Sequence, residues 1–331
     1  MRRSATRQTS PGPAGAPRAP SGHYRVRVTN TASLVSGTQH VLTRGDQTAI
    51  IASVGAGLRT YAVGDRDLVL PHDADELAPA FAGKLLAPWP NRLRDGEYSF
   101  DGTSYQVPVS EHGRHTALHG LLPFVSFEAT SQGDDDVTLE HTIVPSTGYP
   151  WPVRIAVTYA LTDGGLEVTT RATNRGTSAA PYGLGFHPWL STGGAAVDDC
   201  TLRVDADEHV TVDGRLLPTG FEPVAGVYDL REQASLRGRD LDDAWVGLRR
   251  DDAGLSWIRL GAPDGSTVAM WADGAFRAWQ VCTGDHVDAI KRTAVAAEPM
   301  TCVADAFRTG TDLIRLEPGD THEARWGLRL E

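Results

Sequence analysis

The chain has 331 residues, long for one domain but within the range of a large all-β domain. Hydrophobic residues make up 40% and charged residues 22%, which supplies a buried core and excludes global disorder. With 31 basic against 42 acidic residues the net charge is −11; nucleic acid is therefore not expected as the main partner, because phosphate neutralisation needs a basic surface.

The charge is unevenly placed. Residues 1–22 hold Arg2, Arg3, Arg7 and Arg18 and no acid, and their Pro, Gly and Ala content reads as a disordered basic tail. Residues 23–331 carry 27 basic and 42 acidic groups, a net of −15. The tail lacks the apolar core of roughly 7–15 residues that a signal peptide needs, and no run of about 18 apolar residues could cross a membrane. Cys200, Cys282 and Cys302 are far apart and form no CxxC pair, which fits a reducing compartment. A cytoplasmic location without a membrane partner is expected.

In chain order, Tyr24–Thr29 alternates with period two and predicts a first strand. The segment from Asp75 to Leu86 holds a turn or two of helix at most. Tyr98-Ser-Phe, Asp101-Gly102 and Tyr105-Gln-Val predict a hairpin around an Asp-Gly turn. After a short run at 137–144 comes a longer hairpin, Val153–Tyr159 and Leu166–Ala172, turning at Asp163-Gly164-Gly165. Further runs follow at 200–204, 255–260, 267–271, 276–282 and 313–316. Most of the 35 glycines and 20 prolines fall between these runs, a pattern that predicts a sandwich or barrel. No internal repeat points to a propeller. One antiparallel domain is expected over residues 23–331.

Six polar groups sit in segments that otherwise look like packed strand ends. They are Asn91-Arg92, His119 in Leu-His-Gly, His187 in Phe-His-Pro-Trp189, Asp242-Asp243 before Trp245, Gln280 before Thr-Gly-Asp285, and Glu298 before Pro299. Each alone has a plain structural reading: a surface arginine, a satisfied core histidine, a strand-end carboxylate. His112 and His115 beside His119 raise a metal site, but their spacing matches no standard ligand pattern. The six together are better explained as one site.

Their order resembles the aldose 1-epimerase (galactose mutarotase) family over residues 24–331, including the spacing of 27 between Arg92 and His119. Ala297-Glu-Pro-Met-Thr-Cys302 followed by Ala306-Phe307 resembles its bacterial aldose 1-epimerase-like branch. The resemblance implies a large antiparallel β-sandwich with few short helices, with the site in a groove across one sheet. It implies no cofactor and no metal, a small-molecule sugar as the partner, and a monomer or homodimer. Carried over by position, Glu298 is the general base on the anomeric hydroxyl and His187 the general acid on the ring oxygen. His119 is the second histidine on the ring-oxygen side. Arg92, Asn91, Asp242 and Gln280 bind sugar hydroxyls, and Trp189 supplies an aromatic face. Asp242 and Asp243 compete for one role; Asp242 is preferred because Trp245 three positions on then falls in register.

The implied activity is cofactor-free interconversion of the α and β anomers of a free aldose. Ring opening needs a carboxylate and an imidazole on opposite sides of C1–O5, and such a pair contributes on the order of 10²–10⁴ in rate. Two other readings compete. A phosphosugar epimerase of this fold would need added cations, for which Arg94 and Arg114 are the candidates. A non-catalytic carbohydrate-binding or sensor protein would use Trp89, Trp189, Trp245 and Trp279 for stacking, but has no need of Glu298 with His187.

Overall fold

The computed structural model describes residues Leu34–Glu331. The expected tail of residues 1–22, the boundary at residue 23 and the strand Tyr24–Thr29 lie outside the described residues. Two large antiparallel sheets dominate. The backing sheet has nine strands, in the order Glu128–Gln132, Asp136–Thr142, Val153–Thr162, Gly165–Asn174, Thr321–Leu330, Thr267–Ala272, Ser256–Gly261, Thr201–Val204 and Ala234–Ser235. The second sheet has eight, centred on Asp242–Leu248, Ala278–Cys282 and Ala294–Met300. A smaller four-stranded sheet spans Gln39–Asp67.

The hairpin Glu97–Gln106 turns where an Asp-Gly pair takes positive φ. Asp101 and Gly102 stand at φ 48° and 77°, so Phe100 faces Thr103 across a two-residue turn whose twist matches that of the strands. The long hairpin closes between Thr162 and Gly165. Its first strand sends Val153, Ile155, Val157, Tyr159 and Leu161 inward, the period-two pattern of a half-buried strand. From the second sheet, Trp245 and Trp279 meet directly across the ladder and enter the same core. Trp279 Nε1–H donates to Ser256 Oγ of the backing sheet at 3.0 Å, tying the two layers together.

The expected helix at Asp75–Leu86 is one 3₁₀ turn, Pro79–Phe81, and Leu85–Leu86 is a strand. Ala80, Phe81 and Gly83 all have positive φ, which stops helix propagation there. Among the described residues the only α-helix is Ala306–Thr309.

The strand Ala294–Met300 is buried at every position, because both of its faces are covered. Val295 and Ala297 face the core between the sheets. The alternate face carries Ala296 and Glu298, and it is this face that holds the polar groups.

Candidate active site

Three neighbouring strands place three of the expected residues. Glu298, Gln280 and Ala244 are directly opposite one another in the ladder, and Asp242 is the diagonal neighbour of Gln280. Gln280 Nε2–H donates to Asp242 Oδ1 at 2.8 Å, and Asn91 Nδ2–H donates to Gln280 Oε1 at 3.2 Å. Alternation along the strand separates the two acids. Asp243 turns to the other face, where its Oδ1 lies 2.9 Å from His209 Nε2. Trp245 shares the face of Asp243, so the aromatic register invoked for Asp242 is not what selects it; the strand period is.

Asn91 and His119 arrive on a short antiparallel pair, Arg92–Arg94 with Thr116–Leu118, which explains the spacing between Arg92 and His119. Both residues have positive φ, 54° and 64°. Such conformations cost of order 1–3 kcal/mol for non-glycine residues and concentrate at functional sites. Gly120 follows at φ 78°, and a Cβ there would stand 2.2 Å from the Ala87 carbonyl oxygen. The two left-handed residues bond reciprocally. His119 N–H donates to Asn91 O at 2.8 Å, and Asn91 N–H donates to His119 Nδ1 at 3.2 Å. His119 Nδ1 is thus an acceptor, so the neutral ring carries its proton on Nε2. Burial, with His187 and Arg92 nearby, also holds its pKa well below that of a free histidine.

Arg92 is gripped by Glu111, a residue the sequence reading did not single out. Arg92 Nε–H and Nη2–H donate to Glu111 Oε2 and Oε1 at 2.9 and 3.2 Å. Thr116 Oγ1–H and Arg114 Nη1–H complete the Glu111 shell at 2.6 and 2.9 Å. Arg92 Nη2 also lies 3.8 Å from Asp242 Oδ2. Asp242 is raised from its ordinary value, chiefly by burial and against the pull of Arg92.

His187 lies between two short strands, Gly185–Phe186 and Trp189–Ser191, that both pair with Ala294–Met300. Its Nε2 is 3.3 Å from Glu298 Oε1. Burial lowers the His187 pKa to about 3 and pushes Glu298, only 3% exposed, well above its ordinary value. Glu298 Oε2 and His187 Nδ1 are buried without a hydrogen-bond partner among the described residues. Buried polar atoms of this kind are uncommon and call for an explanation. Trp189, 1% exposed, stacks on His187 with ring centroids 5.7 Å apart and supports it instead of presenting an open face.

The remaining sequence readings sort out by geometry. Trp89, Trp245 and Trp279 are core residues, each with its indole N–H bonded inside the protein. Arg94 faces Asp213 and Asp305, and Arg114 faces Glu111, so both proposed phosphate cations already meet carboxylates. His115 is exposed and pairs with Asp95. Among the described residues no three His, Cys, Asp or Glu side chains cluster as metal ligands, and no helix is long and apolar enough to cross a membrane.

The fold is a large antiparallel β-sandwich that carries a buried polar cluster on one face of its second sheet. The aldose 1-epimerase family profile matches residues 38–329, and the chain belongs to that family. It is similar to the uncharacterized Escherichia coli protein YihR, with 34% identity over 87% of this chain and 91% of that one. Human galactose mutarotase is 30% identical over 49% of this chain and 48% of its own length. Among solved structures, the GalM/aldose epimerase homologue from C. elegans superposes with TM-score 0.80 at 21% identity, covering 89% of this chain and 98% of that one. Galactose 1-epimerase from Lactobacillus acidophilus gives TM-score 0.74 at 18% identity, covering 88% and 93%.

Proposed function

We propose that the protein interconverts the α and β anomers of a free aldose by opening and reclosing the pyranose ring. What supports this most is the buried Glu298–His187 contact, with one atom of each side chain left without a partner. The pair holds one proton. Burial favours it on the carboxyl, since both raise the cost of the ion pair. Its transfer to the imidazole creates the base and the acid together, without exchange with solvent.

In the forward step the Glu298 carboxylate takes the O1 proton. The O1 electrons form the C1=O1 bond as C1–O5 breaks, and the His187 imidazolium gives its proton to O5. Rotation about C1–C2 turns the aldehyde, and the same groups act in reverse to close the other anomer. His119 donates from Nε2–H towards the ring-oxygen side. Arg92, Asn91, Asp242 and Gln280 hold the hydroxyls, so that the open chain recloses in the same place.

Polarimetry of freshly dissolved α-D-glucose and α-D-galactose, extended to a wider aldose panel, tests the reading. Accelerated decay of rotation is expected, falling by about 10²-fold or more in Glu298→Gln. No acceleration with any aldose would overturn it.

A further inference from the structure

The residues Ala80 and Phe81 stand consecutively in the left-handed region, at φ 43° and 57°. Side chains rarely adopt this conformation, and it persists only where the surroundings enforce it. Here they do. Ala82 N–H donates to Pro79 O at 2.8 Å, Lys84 N–H to Phe81 O at 2.9 Å, and Trp189 Nε1–H to Ala80 O at 3.1 Å. The same indole stacks on His187, so one side chain fixes both the strained turn and the imidazole.

The turn delivers the Phe81 ring to both histidines. It meets His119 edge-on at 4.6 Å and lies nearly parallel to His187 at 6.2 Å. Phe124, from a different loop, packs on Phe81 at 5.5 Å and remains 57% exposed. A large aromatic side chain left open to water, packed at a tilt on a second one that lies beside both histidines, is not accounted for by the core. Pyranoses present one polar edge of hydroxyls and one apolar face of adjacent C–H bonds. The Arg92, Asp242 and Gln280 cluster suits the first and leaves the second without a counterpart.

We propose that Phe81 and Phe124 form the apolar platform of the sugar site and select pyranoses with a run of axial C–H bonds on one face. The proposal rests on the mutarotase reading for its ligand class, but it is tested by binding and not by turnover. Calorimetry or ligand-observed NMR gives the Kd across an aldose panel, while polarimetry on the same preparations gives the rate. Phe124→Ala, at an exposed position, is expected to raise Kd about 3- to 10-fold, the range for loss of one aromatic contact. Phe124→Trp should restore it, and Phe81→Leu should raise Kd while also lowering kcat, since His119 loses its edge contact. Saturation transfer from ring protons to sugar C–H protons should weaken in Phe124→Ala. An unchanged Kd in both Phe124→Ala and Phe81→Leu, or no binding of any aldose, overturns the platform. Intact binding without any acceleration by the unsubstituted protein would instead overturn the mutarotase reading and leave the platform standing.

Discussion

Burial holds Glu298 protonated above the pH at which water would ionise it, and His187 neutral below the pH at which water would protonate it. A carboxyl pushed far above its usual range stays protonated well past pH 4.5, and an imidazole lowered to about 3 stays neutral well below pH 6.5. The activity of the free enzyme should therefore show no inflection near 6.5. It should fall on the acid side only as pH approaches about 3, where the pair gains a second proton. On the alkaline side it should fall once the pair loses its single proton, at a pH above the ordinary carboxylate value. Profiles of kcat/KM against pH report these free-enzyme constants. Stability follows the same sign. The unfolded carboxyl ionises near 4.5 and the folded one later, so this group costs the fold stability as pH rises from 4.5 through the raised value. Glu298→Gln removes that cost. The variant should lose activity yet gain about 0.5–2 kcal/mol, the usual size of such exchanges, with a gap in Tm that widens from pH 5 to pH 8. A gap that narrows with rising pH would contradict the assignment.

Among the elements, the short pair Arg92–Arg94 with Thr116–Leu118 carries the most consequence for the site. Glu111 neutralises Arg92, and Arg92 is the charge that opposes the raised pKa of Glu298. In Glu111→Gln the guanidinium should swing towards Asp242, and its unscreened charge should hold Glu298 more strongly ionised. The alkaline limb of the pH profile should then move to lower pH, with a raised KM, an effect that loosened packing alone would not produce. Loss of the charged hydrogen bonds should cost about 1–3 kcal/mol in denaturant unfolding. The sequence shows such elements unevenly. Hairpins around Asp101-Gly102 and Asp163-Gly164-Gly165 are legible because Asp and Gly favour turns and the flanking strands alternate. The strands Leu85–Leu86 and Gly185–Phe186 are not, since two residues carry no period and exist through pairing. The strand Thr321–Leu330 is hidden in the sequence although Ala324, Trp326 and Leu328 alternate inward, because charged residues interrupt the apolar run. At the site, the order of motifs marked Asn91, Arg92, His119, His187, Asp242, Gln280 and Glu298. Glu111 and Phe124 lie in loops and Phe81 ends a single 3₁₀ turn, where no period tells which way a side chain turns.

At the scale of the whole molecule, charge decides which ligands the surface favours. The chain is −11 overall, and residues 23–331 are −15. Arginines near the site do not offset this. Arg92, Arg94 and Arg114 all face carboxylates, so the local cations are compensated before any substrate arrives. An anionic substrate would approach against the field of the acidic body, whereas a neutral sugar is indifferent to it. Salt separates the two cases, because the Debye length shrinks from roughly 30 Å at 0.01 M to roughly 3 Å at 1 M. For a neutral aldose, KM should stay within about twofold between roughly 0.01 and 0.5 M sodium chloride. A sugar phosphate turned over by the same site would show KM falling as salt rises, because screening removes the repulsion. Measuring both substrates across that range distinguishes a free-sugar enzyme from a phosphosugar enzyme. A strongly salt-dependent KM for the neutral sugar would mean that Arg92 and Asp242 exchange partners on binding, since their contact at 3.8 Å is the looser of the two carboxylate contacts of Arg92.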